Sequence, residues 1–414
     1  MILLGPALKA MIVKGRLTVI DSDGKRHEFI GSASGPSLTL NFLRRTLPMR
    51  LALRPDLALG EAYMDGSLTI EGGDIFEAMA FLMDNAERSG GFRLRRWGRS
   101  LNFWMRRLQQ RNAMPAARRN VAHHYDLSGG LYELFLDADR QYSCAYYMSE
   151  NESLAGAQRN KKLHIAAKLM LDQPDLKILD IGSGWGGLSL DLARMSHAKV
   201  TGVTLSQEQA KISQQRAAKS GLADDVTFRL QDYRAVDETF DRIVSVGMFE
   251  HVGVSRYPEF FAKCGELLAD DGVGLLHTIG RSRGPADTGD WVRKYIFPGG
   301  YMPALSEVIP AIEQAGLFIT DIEFLRFHYA DTLRDWRLRF NANRHKVAKI
   351  YDERFCRMWE FYLAASEAAF RFSAHEVFQI QFAKRKDTVP DTRDYMFEWE
   401  RAHRDQSPPS TGCG

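Results

Sequence analysis

This 414-residue chain is poor in cysteine: Cys144, Cys264, Cys356 and Cys413 lie far apart, with no C-x-x-C pair and no histidine at zinc-ligand spacing. That scarcity speaks against a disulfide framework and a structural zinc site, and it fits a reducing compartment. Long apolar runs are missing as well, since charges interrupt every stretch before it reaches the ~20 residues of a membrane span. The apolar start, Met1 to Leu8, is too short for a secretory h-region and lacks a basic n-region and a cleavage site. The expected location is cytoplasmic, with any membrane contact peripheral, at the inner face. Charge of one sign is also scarce: a net +3 and a pI near 8.5 are too mild to indicate nucleic acid. Internal repeats are absent, and only the end of the tail, Gln406 to Gly414, reads as disordered.

What the chain does have is apolar material, 45% of residues against 26% charged, enough for two or more domains. Residues 1 to about 90 mix short β-like runs, Arg16 to Ile20 and Ser37 to Leu43, with turn signals such as Ser22-Asp23-Gly24. They end in an amphipathic stretch, Ile75 to Glu87, and together predict a small α+β domain. Aromatics then alternate with arginines from Phe92 to Arg111 without an acidic residue. A basic amphipathic linker over 91–119 of this kind lays its rings at a lipid headgroup boundary while arginine meets anionic lipid. An ordinary interdomain helix with a solvated basic face fits the same residues equally well.

From Asp175 the pattern alternates strand and helix. Strands are expected at Lys177–Ile181, Lys199–Thr204, Val226–Leu230, Asp241–Val246 and Val273–Ile279, with helices at Gly187–Met195, Gln207–Lys219 and Tyr257–Leu268. Such alternation predicts an α/β fold, a parallel sheet covered on both faces with ligands at the carboxyl ends of its strands. An aromatic-rich helical region, Thr332 to Phe372, reads as a cap, and His375 to Ala383 as the final strand.

The first of these strands runs through Asp180 into Gly182-x-Gly184-x-Gly186, where missing side chains let the backbone approach a ligand at a helix start. NAD and FAD sites share this turn, and some copies serve only tight packing. A dinucleotide site would place an acid at the end of the second strand to hold the ribose. Gly202-Val203-Thr204-Leu205-Ser206 offers none, which counts against NAD.

Asp180-Ile181-Gly182-Ser183-Gly184-Trp185-Gly186-Gly187, Gly202 to Ser206, Ser245-Val246-Gly247-Met248-Phe249-Glu250-His251-Val252-Gly253 and Leu276-His277-Thr278-Ile279-Gly280 together resemble the cyclopropane fatty acid synthase family. So do His124-Tyr125-Asp126-Leu127, Gln141 to Tyr146, Phe297-Pro298-Gly299-Gly300 and His328 to Leu333. Residues 120 to 386 carry the strongest likeness, and Gly60-Glu61-Ala62-Tyr63-Met64-Asp65-Gly66 looks like the extra domain of the bacterial phospholipid-acting branch.

The resemblance implies a class I S-adenosylmethionine-dependent methyltransferase fold over 120–390: a Rossmann-like, mostly parallel seven-stranded sheet with a helical cap. It implies a small lipid-binding-like α+β domain over 1–90 and a tail over 391–414. For S-adenosylmethionine it implies Tyr142 and Ser143 as a lid and Asp180, Gly182 and Gly184 at the amino-acid and sulfonium end, with Ser183, Trp185 and Gly186 also among the cofactor-binding residues. Thr204 and Gln209 fall to the ribose region, Asp232 and Tyr233 to the adenine, and Leu205 and Ser206 count among the cofactor-binding residues.

The reaction so implied adds the cofactor's methyl carbon to a cis double bond of an unsaturated phospholipid acyl chain, and a bound bicarbonate deprotonates the resulting carbocation to close a cyclopropane. The matching positions are Cys144, Glu250, His277, Ile279 through its main chain, and Tyr329. Each has an ordinary structural reading when taken singly. A cation in transit needs a dry, apolar pocket, which rings of the Thr332–Phe372 region would line unless they are plain core. The implied partner is a phospholipid in a membrane surface, and the sequence leaves room for a homodimer. A lipid C-methyltransferase leaving a methyl or methylene branch, or a non-catalytic lipid-binding protein, are the competing readings. The family often carries a late cysteine where this chain has Ser366, which puts any covalent role there in doubt.

Overall fold

The computed structural model describes residues 1–90 and 129–404, and in it the chain forms two compact units, neither continuous in sequence. One takes in the described N-terminal residues with Asp287–Pro298 and Leu333–His375; the other holds the remainder. Residues 287–298 and 333–375 therefore group with the N-terminal residues, whereas the sequence motifs assign them to the methyltransferase domain. The basic stretch over 91–119 and the motif His124 to Leu127 lie outside the described residues, as does the end of the tail.

The first unit is built on a four-stranded sheet of β1 (Lys14–Ile20), β2 (Arg26–Ile30), β3 (Ala33–Phe42) and β4 (Leu68–Glu71), in the order β2-β1-β3-β4. Its core gathers Leu17, Val19, Leu38, Leu40 and Phe42 from the strands with Ala78 and Phe81 from the helix Ile75–Arg88. That helix starts where the pattern predicts, because Asp74 and Glu77 form a reciprocal capping box. The run Gly60 to Gly66 joins the unit's three chain segments. A Cβ on Gly60 would lie 2.3 Å from the Trp291 ring nitrogen, so only glycine admits that ring. The Glu61 carboxylate accepts from Arg50, Lys294 and Tyr295, and the Tyr63 hydroxyl donates to Glu360.

The second unit holds a seven-stranded sheet in the order β10-β11-β9-β8-β5-β6-β7. Its strands are β5 (Lys177–Ile181), β6 (Lys199–Thr204), β7 (Val226–Leu230), β8 (Phe240–Val246), β9 (Leu268–Arg281), β10 (Phe318–Phe324) and β11 (His375–Ala383). Parallel pairing runs from β9 through β8 and β5 to β6 and β7; β10 and β11 are antiparallel. The parallel sheet expected from the alternating pattern, and the mostly parallel seven-stranded Rossmann-like sheet that the resemblance implies, are thus present. Strand order reverses at β5, so the crevice beyond β5, β6 and β8 is where such a sheet binds its ligand.

Two glycines of β9 shape the antiparallel side. A Cβ on Gly274 would stand 2.2 Å from the Phe382 ring, and one on Gly280 2.0 Å from the Phe378 ring. Gly274→Ala is expected to lower stability by about 1–3 kcal/mol through overpacking, with Phe382→Leu recovering part of the loss. Urea midpoints of the single and double variants measure this, and an unchanged midpoint for Gly274→Ala would count against it.

The helix Leu154–Lys168 is buried almost all round although it carries Lys161, Lys162, His164 and Lys168. Partners explain most of this: Lys162 pairs with Asp139 and Asp191, His164 sits between Glu323 and Glu400, and Lys168 meets Glu323 and Asp321. Lys161 is the exception. Among the described residues, no helix is long and apolar enough to cross a membrane.

Candidate active site

The end of β5 delivers Asp180 and then turns through Gly182, Gly184 and Gly186, whose φ values are +87°, +56° and +84°. Glycine adopts these left-handed conformations without steric penalty, and the helix Gly187–Ser196 starts directly behind them. A cleft opens over this turn, lined by Tyr142, Ser143, Asp180, Gly182, Ser183, Gly184, Trp185, Thr204, Leu205, Gln209, Asp232 and Tyr233 among others. Of the residues expected at the cofactor, only Gly186 and Ser206 are not on its wall. Both are architectural. A Cβ on Gly186 would lie 2.6 Å from the Phe228 ring, and the Ser206 hydroxyl caps the helix Gln207–Lys219 by accepting from the Gln209 amide.

The wall is preorganised. Asp180 is buried, accepts from the Ser189 hydroxyl at 2.6 Å, and burial pushes its carboxyl up to about 6. An incoming ammonium would restore its charge. Thr204 donates to Gln209 at 2.8 Å, and both oxygens of Asp232 are gripped by the Arg234 guanidinium. Trp185 and Tyr142 pack against Tyr132 with ring centroids 5.1 and 5.4 Å away, which fixes the aromatic side of the cleft. Carboxylate, glycine turn and paired Thr204–Gln209 suit the charged amino-acid end and the ribose of a nucleoside-amino acid such as S-adenosylmethionine.

The residues expected to cage an anion lie close by but not on the cleft wall. Glu250 sits in the chain between Met248 and His251, which both line the cleft. Its Oε1 accepts from the Ile279 amide at 2.6 Å, while Oε2 is buried with no hydrogen-bond partner among the described residues. Burial pushes its carboxyl up to about 7, so Oε2 carries a proton through much of the neutral range. His277, two residues before Ile279 on β9 and hence on the same face, is pushed down to about 3 by burial and is neutral. The Gln379 amide nitrogen stands 3.2 Å from its Nδ1 and donates to it, leaving Nε2 as the N–H donor.

Main-chain contacts draw the other positions in. The Gly247 amide donates to the His277 carbonyl at 2.9 Å, and a Cβ on Gly247 would stand 4.0 Å from that of Ser143, next to Cys144. The Ala145 amide donates to the Thr332 hydroxyl and the Tyr147 amide to His328 Nδ1, tying this segment to the helix turn that carries the buried Tyr329. The Cys144 thiol is buried, held well above its usual range, and directed at the Ala145 carbonyl. A protonated Glu250 and the N–H of His277 suit a small anion as donors. The Ile279 N–H does not join them, because Glu250 already occupies it.

Gln141, Met248, His251 and Lys161 have no site role in the sequence reading. Gln141, Met248 and His251 lie inside quoted motifs and were legible there; Lys161 carried no signal.

The family of mycolic acid cyclopropane synthetases matches residues 112–380 of this chain. A probable fatty acid methyltransferase of Pseudomonas putida is 34% identical over 95% of this chain and 99% of its own length. The cyclopropane-fatty-acyl-phospholipid synthase of Escherichia coli K12 is 42% identical over 63% of this chain and 66% of that enzyme. Among solved structures, the mycolic acid cyclopropane synthase CmaA1 complexed with SAH and CTAB superposes with a TM-score of 0.61 at 34% identity, covering 64% of this chain and 97% of that one.

Proposed function

The chain belongs to the mycolic acid cyclopropane synthetase family and is an S-adenosylmethionine-dependent methyltransferase acting on lipid; from that premise we propose that it forms a cyclopropane on an unsaturated phospholipid acyl chain. When bound, S-adenosylmethionine supplies an electrophilic methyl carbon to the alkene. In this reading Asp180 holds the cofactor's ammonium, Thr204 and Gln209 its ribose, and Asp232 with Tyr233 its adenine. The observation that carries the ring-closing step is Oε2 of Glu250, a buried oxygen beside the cleft with no hydrogen-bond partner among the described residues, on a carboxyl that burial pushes up to about 7. Glu250 and His277 would hold a bicarbonate whose role is to take the proton that ring closure releases. Cys144 and Tyr329 complete the wall around it.

Incubation of the purified protein with S-adenosylmethionine and vesicles of monounsaturated phospholipid, followed by mass spectrometry of the acyl chains, tests this. An added CH2 that resists ozonolysis is expected. A product still cleaved by ozone would instead support a methylene-branched chain, a second reading favoured by the full-length likeness to a probable fatty acid methyltransferase.

A lipid surface as partner is supported by large side chains left exposed in the N-terminal unit: Ile2, Leu3, Leu43, Met49 and Leu53. Arg54 and Lys9 stand exposed close to them in sequence. Met49→Asp combined with Leu53→Asp is expected to reduce cosedimentation with anionic vesicles at least fivefold on the order expected for lost apolar insertion, while leaving binding of S-adenosylhomocysteine unchanged. Undiminished cosedimentation would place docking elsewhere.

A further inference from the structure

Lys161 is fully buried, and among the described residues its ammonium forms no ion pair. Its Nζ donates instead to two neutral groups, Gln141 Oε1 at 2.5 Å and Ser143 Oγ at 2.9 Å, and both of those side chains line the cleft. Gln141 is fixed at its other end, where Nε2 donates to Asp139 at 2.9 Å, and Asp139 is itself held by Lys162 and Arg216. The amide of Gln141 thus stands between Lys161 and the carboxylate that would otherwise neutralise it.

An ammonium has donors and no acceptor, so the Ser143 oxygen must accept from Lys161. The hydroxyl's own hydrogen is then free to point elsewhere, and no group among the described residues accepts it. Ser143 lies on the cleft wall. We infer that Lys161 is a positioning residue: it turns the Ser143 hydroxyl into the cleft as a donor for the carboxylate of the cofactor's amino-acid end. Burial of an ammonium against neutral partners is unfavourable, and a carboxylate arriving on the far side of Ser143 offsets part of that penalty. Asp180, an acceptor on the same cleft, serves the ammonium of that amino-acid end, so the two walls distinguish its two charges.

The inference rests on the cleft being the cofactor site, and two ligands separate the failure of one from failure of the other. S-adenosylhomocysteine carries the amino-acid end; 5′-methylthioadenosine lacks it. By titration calorimetry, Lys161→Met and Ser143→Ala are each expected to weaken S-adenosylhomocysteine about tenfold or more, as for a lost hydrogen bond to a charged group, while 5′-methylthioadenosine changes less than about twofold. The double variant should bind no more weakly than either single one. Equal losses for both ligands, or none, would overturn the role of Lys161. Because a buried Lys→Met change can unfold the chain, Ser143→Ala reads the same contact from the cleft side, and an unchanged affinity there overturns the inference independently. Failure of the unmodified protein to bind either ligand would remove the cofactor site itself.

Discussion

Gly184→Ala is expected to cost up to about a hundredfold in affinity for S-adenosylhomocysteine while the protein stays folded. The φ of Gly184 is +56°, a region alanine enters at a penalty of roughly 1 kcal/mol, and among the described residues no atom lies within 4 Å of a Cβ built there. The space that Cβ would fill is the cleft itself, so the overpacking falls on the ligand; at about 1–3 kcal/mol it corresponds to tenfold to hundredfold in binding. Gly186→Ala makes the control. Its φ is +84° and its Cβ would lie 2.6 Å from the Phe228 ring and 2.8 Å from Ser213, so that variant should lose stability first. Calorimetric affinity and thermal unfolding of the two variants check the pair. Tight binding by Gly184→Ala would mean the ligand lies elsewhere.

Glu250→Gln is expected to cut product formation by about two to four orders of magnitude, the usual worth of a positioned proton-transfer group, with cofactor affinity nearly unchanged. The two variants thus fail in opposite ways, one at binding and one at turnover. Glu250→Gln carries a stability signature as well. The Glu250 carboxyl rises from an ordinary 4.5 to about 7 on folding, so the folded chain holds a proton that the unfolded chain has lost between those values. Its contribution to stability is complete below pH 4.5 and disappears as pH rises through 7. Lacking that titration, Glu250→Gln should gain on the unmodified protein by about 3 kcal/mol between pH 4 and pH 8. Asp180, raised to about 6 by the same cause, slopes the same way in both proteins and cancels from the comparison. Parallel unfolding curves across that range would count against a buried, protonated Glu250.

Much of the second unit's sheet was legible because the middles of β5, β6 and β8 are buried apolar runs and the helix after β6 carries a serine cap. β5, β6 and β7 begin and end where the periodicity puts them, and Ser206 starts its helix as an ordinary cap. The glycine turn was legible for the same reason: left-handed φ values leave only one residue type. Other elements gave no such signal. β10 alternates weakly, pairs only with β11 in its sheet, and exposes both its terminal phenylalanines. The helix Leu154–Lys168 is not among the expected elements, since Arg159, Lys161, Lys162, His164 and Lys168 interrupt every apolar stripe. Lys162, His164 and Lys168 are buried because partners from distant segments receive them, and Lys161 is received by Gln141 and Ser143. No local pattern encodes such partners. The rings of the region Thr332 to Phe372 fit a cap and plain core packing alike; Trp336, Phe340, Trp359 and Phe361 are buried, and residues 333–375 group with the N-terminal sheet, a grouping that no local pattern marks.

β11 lies inside its sheet, between β10 and β9, although it is the last strand to be made. During synthesis the ribosome therefore releases five parallel strands and β10 before the strand that joins them exists. The N-terminal unit waits in the same way for residues 333–375. Until β11 emerges, β9 lacks its neighbour on that side and β10 has no strand to pair with, so these edges stay open to chaperones on the nascent chain. Shortening the chain before residue 383 should yield aggregates rather than a smaller working enzyme.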